Sequence, residues 1–242
     1  MDSIIKQTGT ETCPVCGGLI TVWTVAGRTV RTQCETCLQK AQAEQAARES
    51  AERAEKRRQR EDDAATEAGQ LKIGIPRQYH QWTLTDFPDV ALQVQRFYSG
   101  QVPLLTLTGT NGTGKTSILY ALMRQYYIDG VRVKMLAAPL LLKELQALSG
   151  ESVRQEKELI DELAAFEGAL FLDDVGAEKT TPFTIADLTM IVSERDRDGR
   201  LTAVSTNLTI LELGKRIDPR LADRLNGGLV VQMKGKSYRR PK

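Results

Sequence analysis

Residues 109–116 read Gly-Thr-Asn-Gly-Thr-Gly-Lys-Thr, which matches the phosphate-loop pattern G-x-x-x-x-G-K-[ST] at every position. The apolar run 104–108 precedes the motif and a helical pattern follows it, which is the strand–loop–helix context that the motif requires. The glycines allow backbone N–H groups to surround a phosphate, and the positive end of the next helix adds to the attraction. The sequence therefore predicts a nucleoside triphosphate site rather than an accidental Gly-rich turn.

Within this loop, Lys115 is expected to reach the β- and γ-phosphates, and the Thr116 hydroxyl is expected to bind Mg²⁺. The second part of the site is predicted at 170–174, where three apolar residues precede Asp173 and Asp174. Ligands bind at the carboxyl ends of parallel strands, which would place Asp173 beside the loop, where we expect it to hold Mg²⁺ through a water molecule. Asp174 is expected to position or deprotonate the attacking water. The alternative is a solvated Asp-Asp turn.

The predicted nucleotide- and magnesium-binding residues form one continuous run and one carboxylate: Gly109, Thr110, Asn111, Gly112, Thr113, Gly114, Lys115, Thr116, Ser117 and Asp173. Magnesium itself is assigned to Thr116 and Asp173.

Four further residues are candidate catalytic groups. Asn207 follows a second buried strand pattern and fits a sensor of the γ-phosphate or its water, although it could equally be a turn residue or a helix N-cap. Arg220 and Arg224 lie four residues apart on a short predicted helix, and either could supply charge to the γ-phosphate of a neighbouring subunit. The rival interpretation is a surface helix with weak ion pairs. Arg239 is a candidate second sensor.

All four cysteines lie in the first 37 residues, as Cys13-x-x-Cys16 and Cys34-x-x-Cys37. Two such pairs favour one tetrahedral Zn²⁺ site with all four positions filled, which is typical of a structural metal. Segments 19–25 and 28–31 are predicted to form a hairpin that brings the two pairs together. Two disulfides or four free thiols are the alternatives, and a reducing compartment disfavours the first.

The composition changes after the cysteines. The stretch from 38 to 68 contains neither Gly nor Pro and carries acids and bases at i,i+4, which predicts a solvated helical spacer or a partner-binding helix. We therefore divide the chain into a zinc module (1–38), a charged helical spacer (39–70) and an ATPase domain (71–242). The formal net charge of +2 marks neither nucleic acid nor membrane as partner, and the absence of a long apolar run or signal pattern predicts a cytoplasmic protein.

From residue 75 onward, strand and helix patterns alternate. The predicted strands are 104–108, 132–136, 169–172, 201–205 and 229–233, and the predicted helices include 140–148, 154–166 and 184–197. Short apolar strands separated by helices predict an α/β fold with a parallel sheet covered on both faces.

Taken together, the motifs resemble those of the DnaC/DnaI-type replicative helicase loaders, which are AAA+ ATPases. The resemblance covers about residues 70–242 and rests on segments in family order: 74–79, 109–116, 172–178, 205–207, 220–225 and 237–239. Only 35 residues follow Asn207, so we expect little or no helical lid. The same core also resembles IstB-type ATPases, which regulate transposases.

The resemblance implies ATP and Mg²⁺ as cofactors, a hexameric replicative helicase and single-stranded DNA as partners, and a homo-oligomer when ATP is bound. It also implies that the N-terminal region grips the helicase and that ATP controls the placement of the helicase on DNA. Lys143 and Lys179 are guesses for DNA contacts. Asp174 stands where many such ATPases have Glu, so slow hydrolysis, or a zinc-dependent adaptor that uses ATP as a switch, stays open.

Overall fold

The computed structural model describes residues 5–177 and 182–234. The chain divides into two compact units, residues 1–59 and residues 60–242. This boundary falls inside the segment that the sequence assigned to a helical spacer. The three-part division therefore stays a prediction.

The first unit contains a small antiparallel sheet of three strands, β1 (Ile5–Thr12), β2 (Leu19–Val25) and β3 (Arg28–Arg31), in the order β1-β2-β3. The predicted hairpin is confirmed, with Val25 opposite Arg28 at its closed end. Strand β1 was not predicted. Helix α1 (Glu35–Ala65) begins just after Cys34 and carries the charged segment.

The second unit is built on five parallel strands: β4 (Leu104–Thr108), β5 (Val133–Ala137), β6 (Ala169–Val175), β7 (Thr202–Thr206) and β8 (Leu229–Gln232). Their order in the sheet is β5-β6-β7-β4-β8. All five predicted strands are confirmed to within a few residues at their ends. Strands β4, β6 and β7 are parallel neighbours in the middle of the sheet. The phosphate loop and both predicted acids therefore lie at the same, carboxyl-terminal end of the strands.

Eight helices accompany the described residues of this unit besides the end of α1, and two short 3₁₀ turns lie at Arg77–Tyr79 and Leu84–Asp86. The helices are α2 (Glu67–Lys72), α3 (Pro88–Tyr98), α4 (Lys115–Ile128), α5 (Ala138–Glu151), α6 (Val153–Ala165), α7 (Pro182–Arg197), α8 (Ile210–Arg216) and α9 (Pro219–Gly227).

The sheet is covered on both faces, as predicted. Alternate residues of a strand enter opposite cores: Leu170 and Leu172 face one cluster, and Phe171 faces the other. Residues from α5 to α9 complete the first cluster, whereas α3 and α4 complete the second. This layered arrangement fixes the sheet edge on which the site is built.

Two observations concern the ends of this unit. Gly69 lies inside α2, where a Cβ atom would stand 1.9 Å from the Asp63 carbonyl oxygen. Its role in the structure is a close approach between helices. After β8, the described residues contain no helical lid. In the same described ranges, no helix has the length and apolar character needed to cross a membrane.

Candidate functional site

The loop between β4 and α4 depends on backbone conformations that favour glycine. Gly109, Gly112 and Gly114 have φ of 142°, 88° and 91°. At Gly109, a Cβ atom would lie 2.4 Å from the Met233 carbonyl oxygen, so the backbone after β8 leaves no room for a side chain. Helix α4 starts at Lys115, directly after this curve, and its amino end faces the loop. The loop therefore has the shape that a phosphate group requires.

Lys115 is almost completely buried, yet its ammonium group contacts neutral acceptors. Its Nζ donates to the carbonyl oxygens of Gly109 (2.7 Å) and Thr110 (2.9 Å) and to Oδ1 of Asn207 (2.7 Å). A buried cation held in this way attracts an anion strongly, because solvent screens little at this depth. These contacts bring two of the predicted site residues, Lys115 and Asn207, together.

Thr116 and Asp173 meet at the edge of the sheet. The Thr116 hydroxyl lies 2.9 Å and 3.1 Å from the two carboxylate oxygens of Asp173, and the Ser205 hydroxyl donates to the same carboxylate. Burial raises the pKa of the Asp173 carboxyl, as does the nearby Asp174, while the hydrogen bonds from Ser205 and Thr116 oppose this shift. One hydroxyl and one carboxylate at this position fit the oxygen ligands that Mg²⁺ prefers.

Asp174 occupies an irregular point in β6. Its φ is +59°, and one extra residue of β6 is accommodated between the pairs that Leu172 and Val175 form with β7. The Ser205 hydroxyl accepts the Asp174 backbone N–H at 3.0 Å, and Asn207 Nδ2 lies 3.4 Å from the Asp174 carboxylate. The bulge thus directs two consecutive acids toward the same site, which a regular strand would send to opposite faces.

These residues line a cavity of about 850 Å³. Its lining joins the loop, both acids and Asn207 to the segment 77–82, which includes His80 and Trp82. Among the predicted loop residues, Asn111, Gly112, Gly114, Lys115, Thr116 and Ser117 contribute to the lining. Thr113 acts inside the loop instead, where its hydroxyl donates to the Thr110 carbonyl oxygen at 2.9 Å.

Sequence reasoning did not single out two residues that shape this site. Ser205 contacts both acids, whereas the sequence included it only in the segment 205–207, two residues before Asn207, and gave it no role. Arg124 on α4 donates to the carbonyl oxygens of Trp82 (2.8 Å) and His80 (3.0 Å), and so holds the 77–82 wall against the helix that follows the loop. A lone arginine in an amphipathic helix carries no sequence signal for such a role.

The arginine candidates lie elsewhere on the unit. Arg220 and Arg224 are exposed on α9 and line a separate cavity of about 570 Å³ beside α7. Arg224 contacts Asp196 at 3.4 Å, and Asp218 accepts the N–H groups of Arg220 and Leu221 as a helix N-cap. Within one chain, the two arginines and Lys115 line different cavities. Their action on the nucleotide site of a neighbouring subunit therefore stays a prediction. Glu178, Lys179 and Arg239 lie outside the described residues.

The four cysteines form one cluster. Their sulfur atoms all lie within 4.8 Å of one another, and none of the four forms a disulfide. Backbone N–H groups of Cys16 and Val15 lower the pKa of Cys13 to about 7, whereas the Cys16 side chain and burial raise the pKa of Cys37 to about 12. The geometry fits a single metal ion with four thiolate ligands.

A family profile and several proteins of known sequence match this chain. The profile of the ATPase family associated with various cellular activities (AAA) matches residues 105–203. The replicative helicase loader DnaC of Escherichia coli K12 is 24% identical over 151 residues, which are 62% of this chain. The match spans only 61% of the length of that relative, as it does for the DnaC of Shigella flexneri.

Solved structures share the fold of the second unit. The crystal structure of the DnaC helicase loader is 19% identical and has a TM-score of 0.56, covering 66% of this chain and 100% of that one. The crystal structure of DnaI is 21% identical and has a TM-score of 0.55, covering 69% of this chain and 95% of that one. The structure of the replication initiator DnaA bound to AMPPCP and single-stranded DNA is 19% identical and has a TM-score of 0.57, covering 64% of this chain and 50% of that one. The chain therefore has the AAA+ P-loop fold of the DnaC/DnaI-type helicase loaders.

Proposed function

We propose that this protein is an ATP-dependent loader of a hexameric replicative DNA helicase. The observation that supports it best is the joint arrangement of Lys115, Thr116, Asp173, Asp174 and Asn207 around one cavity, on a fold similar to that of helicase loaders. The first unit binds the helicase, and ATP binding and hydrolysis control the placement of the helicase on single-stranded DNA. The protein forms a homo-oligomer when ATP is bound, and it acts in the cytoplasm.

Each residue of the site has a role in this proposal. Lys115 and the loop N–H groups hold the phosphates, while Thr116 and Asp173 hold Mg²⁺. When bound, the magnesium nucleotide supplies a phosphoryl group whose negative charge is partly neutralised. Asp174 orients or deprotonates the attacking water, and Asn207 senses the γ-phosphate. Asp174 has one methylene less than Glu, which leads us to expect slow hydrolysis that the partner accelerates.

We assign zinc to the four-cysteine cluster. A tetrahedral ion with Cys13, Cys16, Cys34 and Cys37 as ligands is closed to substrate, so its role is structural. The cluster would support a docking surface on the first unit, where the aliphatic side chains of Val15 and Leu19 are 84% and 72% exposed. An exposed aliphatic group on so small a module suits contact with another protein.

The partner assignment is tested by capture from host lysate with an ATP analogue present. The full chain should recover a hexameric helicase, and the Val15→Asp, Leu19→Asp double variant should lose it. Leu92→Asp serves as the matched control, since Leu92 is an equally exposed leucine of the second unit. Recovery of a transposase would move the protein to the IstB-type class, and equal capture by both variants would refute docking through the first unit.

The catalytic assignment is tested by complementation between subunits. Lys115→Ala should abolish ATP binding, while Arg220→Ala should retain it and lose turnover. Mixing the two inactive variants should restore part of the turnover, because some sites then combine Lys115 from one subunit with Arg220 from the next. The same mixture with Arg224→Ala identifies which arginine acts. No restoration with either arginine would refute the shared site, and nucleotide binding without any turnover would support the ATP-switch adaptor.

A further inference from the structure

A third cavity, in the second unit, lies away from the nucleotide site. It has a volume of about 560 Å³ and no lining residue in common with the nucleotide cavity. Arg132 directly precedes β5 and Phe166 precedes β6, so this cavity opens at the amino ends of these parallel strands. The nucleotide site lies at the carboxyl ends. We call this third cavity the basic groove, and its charged and aromatic lining consists of Arg60, Lys72, Tyr127, Arg132, Lys134 and Phe166.

The basic groove has an excess of positive charge. Four of its lining residues are cationic and none is acidic. Two nearby acids already have partners: Glu162 pairs with Lys134 at 2.6 Å, and Asp63 accepts a hydrogen bond from the Tyr127 hydroxyl at 3.1 Å. Across residues 5–177 and 182–234, no ion pair involves Lys72 or Arg132. Their charges therefore remain available to an anion.

Phe166 orients the cations of the groove. The Arg132 guanidinium lies 5.0 Å from the centre of the Phe166 ring, and Lys134 Nζ lies 5.6 Å from it. Both distances are within the range of cation–π attraction. The two long side chains are thus held at one wall of the groove, which reduces the entropy that a ligand must remove when it binds.

A buried arginine adds to the same field. Arg195 is fully buried and donates only to neutral acceptors, including the carbonyl oxygens of Phe166 (2.8 Å) and Gly168 (2.8 Å). Burial lowers its pKa to about 10, so it stays cationic at neutral pH. Its guanidinium lies 5.9 Å from the Phe166 ring. The wall of the groove therefore has positive charge behind it as well as on it.

Another part of the groove's lining is shaped by Gly130. Its φ is +84°, and a Cβ atom there would lie 2.6 Å from a terminal nitrogen of Arg60. Because Gly130 has no side chain, the Arg60 guanidinium can lie directly against the backbone. Arg60 and Arg132 thus enter the groove from different elements.

We propose that the basic groove binds the phosphate backbone of a single-stranded nucleic acid. Cations from four separate positions suit a chain of regularly spaced phosphates, and Tyr127 offers an aromatic group to an unpaired base. An acidic peptide would interact with the cations alone, since it has no base to stack on the Tyr127 ring. The choice of a single strand rests on the proposed function, whereas the existence of an anion-binding groove rests on the geometry.

The test uses fluorescence anisotropy of the full chain with a labelled oligo-dT of ~20 nucleotides, longer than the ~4–16 nucleotides that one single-strand-binding module covers. The variant is Lys72→Ala with Arg132→Ala, both exposed side chains whose loss should not disturb folding. The matched control is Arg53→Ala with Arg154→Ala, which removes two exposed arginines elsewhere, 83% and 88% exposed.

We expect the groove variant to lose affinity about tenfold at low salt and to reduce the slope of log affinity against log salt by roughly 0.7 for each lost phosphate contact. ATP binding and the melting temperature should stay unchanged. Unchanged DNA affinity, or an equal loss in the control, would overturn the proposal. Stronger displacement by poly-glutamate than by unlabelled oligo-dT would overturn it in favour of an acidic peptide.

The same preparations are assayed for helicase capture, so that the two proposals fail separately. Absence of DNA binding by the wild-type chain, with capture intact, refutes the groove and leaves the loader function in place. Loss of capture by the wild-type chain, with groove-dependent DNA binding intact, refutes the loader and leaves the groove.

Discussion

The two units of this molecule differ in how each is stabilised. Among the described residues of the first unit, the buried side chains are those of Cys13, Val22 and Cys34, and every residue of β3 is exposed. The second unit buries two large apolar clusters on either side of a five-stranded sheet. A three-stranded sheet with so small a core cannot offset its conformational entropy by burial alone. Packing therefore stabilises the second unit, whereas we expect a metal ion bound by the sulfur cluster to stabilise the first.

Metal removal provides the most severe test of this comparison. Treatment with a chelator should unfold the first unit and leave the second folded, because a structural zinc site contributes about 10–16 kcal/mol to the folding of small domains. Limited proteolysis and NMR spectra would report the two units separately. Cys34→Ser should act as the chelator does, whereas Val30→Ala, at an exposed position, should not. A first unit that stays folded after metal removal would contradict the metal-dependent stabilisation of this unit.

A core substitution should produce the opposite result. Phe171 in β6 is fully buried, and Phe171→Ala should lower the free energy of unfolding of the second unit by about 3–5 kcal/mol. Urea denaturation measures this change, and a zinc assay should show no change in metal content. Leu92→Ala is the control, since Leu92 is 86% exposed and should shift stability by less than about 0.5 kcal/mol. Metal loss in Phe171→Ala would contradict independent stabilisation.

Within the second unit, Ser205→Ala separates the effect on the candidate site from the effect on core packing. The hydroxyl contacts both acids, so its loss should weaken Mg²⁺-dependent turnover about 10–100-fold. The magnesium concentration that gives half-maximal turnover should rise, while the melting temperature changes little. Ser99→Ala, at an exposed position after α3, provides a matched serine control. An equal loss of turnover in both variants would show that the effect is merely structural.

The smallest expected effect concerns the start of α9. Asp218 accepts two backbone N–H groups, from Arg220 (2.7 Å) and Leu221 (3.1 Å), and Asp218→Ala should cost about 1 kcal/mol in urea denaturation. Asp218→Asn should cost no more than a few tenths, because the amide oxygen can accept the same bonds. If Asn proves as costly as Ala, the charge of Asp218, rather than its cap, stabilises this helix.

The sequence predicted the strands of the second unit well, because each is a short apolar run between helical patterns. Strand β1 escaped prediction, since after Ile5 it reads Lys-Gln-Thr-Gly-Thr-Glu-Thr and has no apolar alternation. Its pairing with β2 determines its structure instead.

In the candidate site, too, some features could be predicted from the sequence and others depend on how the strands pair. The residue types of the phosphate loop and the acids were evident from spacing, because the chemistry needs those side chains in that order. The bulge at Asp174 and the shared hydroxyl of Ser205 depend on how β6 and β7 pair, which no local pattern encodes. Arg195 lay within a predicted helix as an ordinary basic residue, and only the fold shows that it is fully buried.

The contact between Lys115 and Asn207 has a consequence for timing. An ammonium group has three N–H donors, and the acceptors around Lys115 include the Asn207 side chain, which also lies 3.4 Å from Asp174. A phosphate oxygen that accepts from Lys115 must compete with these acceptors, and Asn207 is the one that can rotate away. Arrival of the nucleotide would then release Asn207 and alter the surroundings of Asp174 in the same event. Asp174, the acid that we propose acts in hydrolysis, would then change its hydrogen-bond partner only once the phosphate site is filled.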